Sequence, residues 1–178
     1  TGDAVVVLHM KGSHGPAYYM RYPPAFERFK PACATPQLDR CSRGSIVNAY
    51  DNTLRYTDHV LWRTIEWLRS NAARFDPALV YVSDHGESLG EGGLYLHGMP
   101  YALAPAEQTR IPLLVWAPRE RLPAWGLDAA CMRGVLARPV SHDNLYHSVL
   151  GMMGVSTSVY RTEQDVFAMC RRPDGSAD

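Results

Sequence analysis

Lysine is scarce in this chain: Lys11 and Lys30 are the only two, against sixteen arginines. Arginine is the better fork for phosphate, but a genome-wide composition bias accounts for the count equally well. The formal net charge is zero, so no overall field draws the chain to nucleic acid, and nucleic acid is not expected as a partner. No apolar run approaches the ~18 residues that mark a membrane-spanning helix. A signal peptide is not visible, because Thr1-Gly2-Asp3 leads straight into "AVVVLHM". A start about three residues before a buried-type strand reads as a fragment boundary. None of the four cysteines forms a C-x-x-C pair, which argues against a zinc ribbon or a thioredoxin motif. H-E-x-x-H is also missing, so this is not a helical zinc protease. Internal repeats, low-complexity tracts and heptads are absent.

What is present is an ordinary globular composition: 178 residues, 46% hydrophobic and 20% charged, enough for one domain with its own core. "DAVVVLHM" has the length and continuity of a strand buried on both faces. A Gly-, Pro- and aromatic-rich loop, "KGSHGPAYYMRYPPAF", follows it. After Cys41, Ile46, Ala49, Tyr50, Leu54, Val60, Leu61, Ile65 and Leu68 recur at helical spacing. They predict a long amphipathic helix with a break near Thr57-Asp58. Pro77 stops it, and "DPALVYVS" predicts a second buried strand. "RIPLLVWAP" predicts a third, with irregular chain over 119–139. Ser141 is a good N-cap for "HDNLYHSVLGMMG", Asp143 suits its first turn, and Gly154 suits its C-terminus. The polar tail to Asp178 is expected to fray. Strand, long helix, strand, loop, strand, helix reads as α/β with a mainly parallel sheet.

Cys33 and Cys41 bracket a polar, Pro-containing loop, "CATPQLDRC", that suits a local disulfide. Closing it contributes roughly 2.5 kcal/mol on a chain-entropy basis. Cys131 and Cys170 remain; paired, they would tie the last helix region to the tail. Four scattered cysteines suggest an oxidising compartment; four buried free thiols are the alternative.

The chemistry concentrates at strand ends, where open α/β sheets gather functional groups. The first strand leads to His14 in "GSHGP" and the second to Asp84-His85-Gly86 in "SDHGES". A loop of glycines then returns to His97-Gly98. A carboxylate beside an imidazole suits Zn²⁺, with Mn²⁺ possible. Neighbours in a strand point to opposite faces, so both reach one ion only where the strand turns, which Gly86 permits. Otherwise Asp84-His85 is a helix cap beside a surface histidine. Glu87 and Glu91 are candidates to support a ligating histidine. His9 reads as a hydrogen-bonded core residue, and His59, His142 and His147 as structural or exposed. Asn48, Asp51 and Asn52 read as a solvated helix face or an interhelix contact.

Five stretches together, "LHMKGSHGPAYYMRYP", "CATPQLDRC", "NAYDNTLRYTDH", "VYVSDHGESLGEGGLYLHGMPY" and "SHDNLYHSVLGMM", resemble the catalytic domain of the bacterial lipid A phosphoethanolamine transferases. The mobile colistin-resistance enzymes belong to that group. The resemblance implies a sulfatase/alkaline-phosphatase-like α/β fold at the periplasmic face of the inner membrane. It implies zinc, a phosphatidylethanolamine donor, a lipid A or related envelope acceptor, and a threonine nucleophile. Asp84 and His85 match two ligands of the primary zinc. His14 and His97 match histidines that bind a second zinc or the substrate's phosphoethanolamine group, and Cys33–Cys41 matches a family disulfide. Thr35, Thr53, Thr57, Thr64 and Thr109 lie in no context like that of the nucleophile. Residues 1–178 therefore read as the C-terminal portion of the periplasmic catalytic domain, inactive alone. The threonine, a further acidic ligand and the membrane domain lie outside it. A phosphatase or sulfatase of the same superfamily, or a non-catalytic phosphate-binding remnant, are the alternatives.

Overall fold

The computed structural model describes residues 2–172. Two compact units emerge: Val7–Trp116, and Thr1–Val6 with Ala117–Asp178. The frayed end expected of the tail lies outside the described residues.

The first unit is built on α1, Arg43–Ser70, a single 28-residue helix. Ser42 starts it: its hydroxyl accepts the Ser45 N–H at 3.2 Å, satisfying one donor that the first turn leaves unpaired. Ile46, Ala49, Thr53 and Thr57 form its buried stripe. No break occurs at Thr57-Asp58, because Thr57 is buried within that stripe. Tyr18, Cys33 and Leu89 pack on Ile46 and Ala49 to make the core. The second half of the helix leaves Trp62 and Trp67 largely exposed.

Asn52 is not on a solvated face but fully buried. Its Oδ1 accepts the N–H groups of Arg28 and Phe29 at 2.8 and 2.9 Å, and its Nδ2 donates to the Phe29 carbonyl at 3.0 Å. The side chain thus serves as a backbone substitute for an irregular loop, which satisfies buried groups that no ladder could reach. Asn48 does the same for the Pro31 carbonyl at 2.9 Å.

β1 is Leu79–Val82, β2 is Ser88–Leu89 and β3 is Tyr95–Leu96. A single turn of helix, α2, spans Ala106–Thr109, and β4 is Leu113–Trp116. The α/β class stands, but the strand direction corrects the expectation of a mainly parallel sheet. Both ladders among the described residues are antiparallel: β1 with β4, from Leu79↔Trp116 to Val82↔Leu113, and β2 with β3. Parallel neighbours need a crossover that carries the chain back along the sheet, usually as a helix. The chain between β1 and β4 holds only short elements, and β4 returns alongside β1 in the opposite sense. A second correction concerns "DAVVVLHM". It forms no strand; Val5, Val6, Val7 and Leu8 are 55–82% exposed. A strand is stabilised by its partner, and the run has none among the described residues. His9 in it is exposed rather than a core residue.

In the other unit, residues 119–139 are more regular than expected. Asp128 accepts the Cys131 N–H through its carboxylate and caps α3, Ala129–Leu136. Helix α4 is Asp143–Met152, where the Ser141 hydroxyl accepts the Asp143 N–H at 3.2 Å. Gly154, at φ +60°, ends it as expected, and the Val155 N–H reaches the Leu150 carbonyl at 3.0 Å. His147 is buried and structural, its Nδ1 accepting the Arg161 N–H at 3.1 Å. Both disulfides are formed, Cys33–Cys41 and Cys131–Cys170, each inside one unit.

Candidate functional site

The site begins where β1 ends. Ser83 Oγ donates to the His85 carbonyl at 2.7 Å, and the His85 N–H donates to Asp84 Oδ1 at 3.1 Å. These local bonds hold the turn that directs Asp84 and His85 out of the strand. Gly86 has a different task from the one expected: its φ is ordinary. A Cβ there would collide with the Glu107 carbonyl oxygen of α2, while the Gly86 N–H donates to the Gln108 carbonyl at 2.9 Å. Only glycine permits this approach of two backbones.

Glu87 follows, pointing inward, its side chain 4% exposed. One carboxylate oxygen accepts His97 Nδ1 at 2.9 Å, and the other accepts the Gly15 N–H at 3.2 Å. Glu87 therefore ties the loop carrying His14 to the one carrying His97, and supports a histidine as anticipated. Glu91 does not. It is bound to the Arg43 guanidinium at 2.9 Å and to the Leu89 N–H, away from the imidazoles. The Gly-rich turn between β2 and β3 uses glycine's freedom at Gly90, Gly92 and Gly93, all at positive φ. Leu96, immediately before His97, is the one non-glycine residue at positive φ among the described residues, at 66°. That backbone position is strained for a branched side chain.

Three imidazoles meet here. The His85 and His97 rings stack with centroids 3.7 Å apart; His14 stands edge-on, 5.0 Å from His97 and 6.0 Å from His85. Each uses Nδ1 in the same way. His14 Nδ1 bonds to the Gly15 carbonyl at 2.7 Å, His85 Nδ1 to the Gly86 carbonyl at 2.7 Å, and His97 Nδ1 to Glu87 at 2.9 Å. Carbonyl and carboxylate oxygens only accept, so a neutral ring carries its proton on Nδ1 and keeps a lone pair on Nε2. Asp84 Oδ2 lies 3.8 Å from His85 Nε2. All four residues proposed from sequence thus come to one place. Their donors are of the kind zinc takes, and tethering the second ring nitrogen is how ligating histidines are oriented. Among the described residues, no group of three or more His, Cys, Asp or Glu side chains is placed to hold a metal ion.

Behind the rings, Tyr18 is buried, and its hydroxyl has no hydrogen-bond partner among the described residues. Burial, and then the negative charge of Glu87, push its ionisation well above the usual phenol range. Gly15 packs tightly on it: a Cβ would lie 2.6 Å from Leu96 Cδ2 and 2.7 Å from the Tyr18 hydroxyl. Sequence reasoning did not find this wall. Nor did it single out Arg21, whose Nε donates to the His14 carbonyl at 3.1 Å. The pair Tyr18-Tyr19 and Arg21, within seven residues of His14, was the available signal.

A family model described as Sulfatase matches residues 1–155. Phosphoethanolamine transferase EptA of Salmonella typhimurium is 45% identical over 172 residues, 96% of this chain and 31% of that protein. Phosphatidylethanolamine transferase Mcr-1 of Escherichia coli is 47% identical over 118 residues, 66% of this chain and 22% of that protein. The crystal structure of the soluble domain of lipooligosaccharide phosphoethanolamine transferase A from Neisseria meningitidis superposes with a TM-score of 0.84 at 43% identity. It covers 91% of this chain and 49% of that one. The resemblance read from the motifs is thus borne out. The chain spans about a third of the length of the EptA relative.

Proposed function

This chain belongs to the sulfatase family, and we propose that it forms part of an enzyme that transfers phosphoethanolamine from phosphatidylethanolamine to lipid A or a related envelope acceptor. Residues 1–178 are, in this reading, the C-terminal portion of its periplasmic catalytic domain. The nucleophilic threonine, a further acidic ligand and a membrane domain belong to the rest of the protein. The single observation that carries the proposal is the set of three imidazoles, each held through Nδ1, beside Asp84 at the end of β1. A relative's structure is described as an integral membrane protein, and another as a C-terminal periplasmic domain. No helix among the described residues is long and apolar enough to cross a membrane.

Zinc, when bound, would polarise a phosphoryl oxygen and acidify the attacking hydroxyl. Asp84 and His85 would hold it; with only two ligands here, against the three usual in a catalytic site, the isolated chain binds it weakly. What the chain itself contributes is positioning. Glu87 fixes the His97 ring and the Gly15 amide together. His14 and His97 present Nε2 to the phosphoethanolamine group, as hydrogen-bond donors when protonated. Phosphoryl transfer depends chiefly on such positioning and on charge stabilisation.

The test uses the whole protein in a bacterial envelope, with lipid A examined by mass spectrometry. One added phosphoethanolamine, lost in Asp84→Ala and His14→Ala, is expected. Release of free phosphate or sulfate from small esters, with no acceptor product, would instead establish a hydrolase of the same family. Calorimetry on the 178-residue chain adds a readout that needs no turnover: weak zinc binding that Asp84→Ala abolishes.

A further inference from the structure

The loop that carries His14 has a second face. A cavity of about 310 Å³ opens beside it, with Met10 and Met20 as its apolar lining. Its polar lining is Lys11, Arg21, Tyr56 and Thr57, without a carboxylate. Neither cation is neutralised: among the described residues Lys11 has no ion pair, and the bond of Arg21 is the one from Nε to the His14 carbonyl. That bond fixes the guanidinium on the loop and leaves its terminal amino groups uncommitted. Thr57 is buried on α1, and no hydrogen bond among the described residues engages its hydroxyl. Two cations and two hydroxyls around one cavity, with no acid to balance them, are the complement of a phosphate.

We propose that Lys11, Arg21, Tyr56 and Thr57 form an anion subsite for the phosphomonoester of a phosphorylated sugar acceptor, with Met10 and Met20 against its apolar face. The assignment to the acceptor rests on the transferase reading above. A phosphomonoester carries up to two charges at neutral pH and a phosphodiester one, so a pair of cations favours the monoester. The position agrees with this: the subsite shares a loop with His14 but includes none of the three imidazoles. Arg21 couples the two, because its guanidinium, engaged by an anion, holds the His14 backbone at the same time.

The experiment is a calorimetric titration of the 178-residue chain at low salt with three probes: inorganic phosphate, glucosamine 1-phosphate and glycerophosphoethanolamine. We expect the two dianionic probes to bind at least tenfold more tightly than the diester. Lys11→Glu, at an exposed loop position, is expected to abolish the binding of both, and Arg21→Gln to weaken it at least tenfold. His97→Ala should leave it within twofold. Circular dichroism establishes that each variant is folded, and Lys11→Gln replaces Lys11→Glu if it is not. The proposal is overturned if the wild-type chain binds neither dianion, or if Lys11→Glu binds as the wild type does. Loss of binding in His97→Ala with retention in Lys11→Glu overturns it too, by moving the anion to the imidazoles. A diester bound as tightly as the monoesters, and lost like them in Lys11→Glu, overturns the acceptor assignment. These arms need no turnover, so failure of the transferase reading appears separately, as unmodified lipid A.

Discussion

Glu87 and Glu91 stand four residues apart in one loop and do unlike things. Glu87 is buried and serves the site: it orients His97 and holds the Gly15 amide. Glu91 is part-exposed and serves the fold. Partial burial pushes its ionisation up, but hydrogen bonds from the Leu89 amide and Arg43 outweigh that and hold it below the ordinary 4.5. A carboxyl whose folded value is depressed binds protons less readily when folded than when unfolded. Its stabilisation is therefore present above pH 4.5 and is lost as pH falls through the lowered value. Thermal melts of the wild type and Glu91→Gln should differ most near neutrality and converge in acid. A gap that stays constant down the pH series would show that the charge is not the cause.

At the scale of elements, the turn that follows β1 meets α2 at Gly86, and the contact is backbone on backbone. Alanine there must force the Glu107 carbonyl away. Gly86→Ala is expected to cost about 2–4 kcal/mol in urea unfolding, from overpacking and loss of the Gly86–Gln108 bond. It should also shift the His85 ring resonances in NMR spectra. A variant as stable as the wild type would mean that α2 yields freely. The sequence made α1, β1 and β4 legible because their signals are local: apolar residues at helical spacing, or short apolar runs closed by proline. It announced Asp84, His85, His14 and His97 because chemically expensive side chains crowded into glycine-rich loops. Strand direction was not legible, since pairing depends on partners distant in sequence. Asn52 was misjudged for a similar reason: a polar residue on a helix reads as solvated until the loop it satisfies, residues 28–29, is seen to fold over it. Val5–Leu8 fail as a strand although their composition is ideal, because composition does not supply a neighbour.

At the scale of the whole molecule, each unit carries one covalent closure. The two rings differ in length, with separations of 8 and 39 residues. On a chain-entropy basis the shorter contributes about 2.5 kcal/mol and the longer about 4 kcal/mol. Replacing Cys131 and Cys170 together by serine should therefore lower the urea midpoint more than replacing Cys33 and Cys41. The reverse order would show that core packing around Cys33, rather than ring length, sets the stability. The exposed run Val5–Leu8 has a consequence of another kind. At pH 7 the chain has no net charge, so its copies do not repel one another at long range, and they display a strip of β-prone apolar side chains. Neutral buffer is then the colloidally least favourable condition, where strip meets strip and turbidity grows with concentration. Raising the pH above neutrality, or Val6→Lys, restores repulsion between copies without charging the imidazoles.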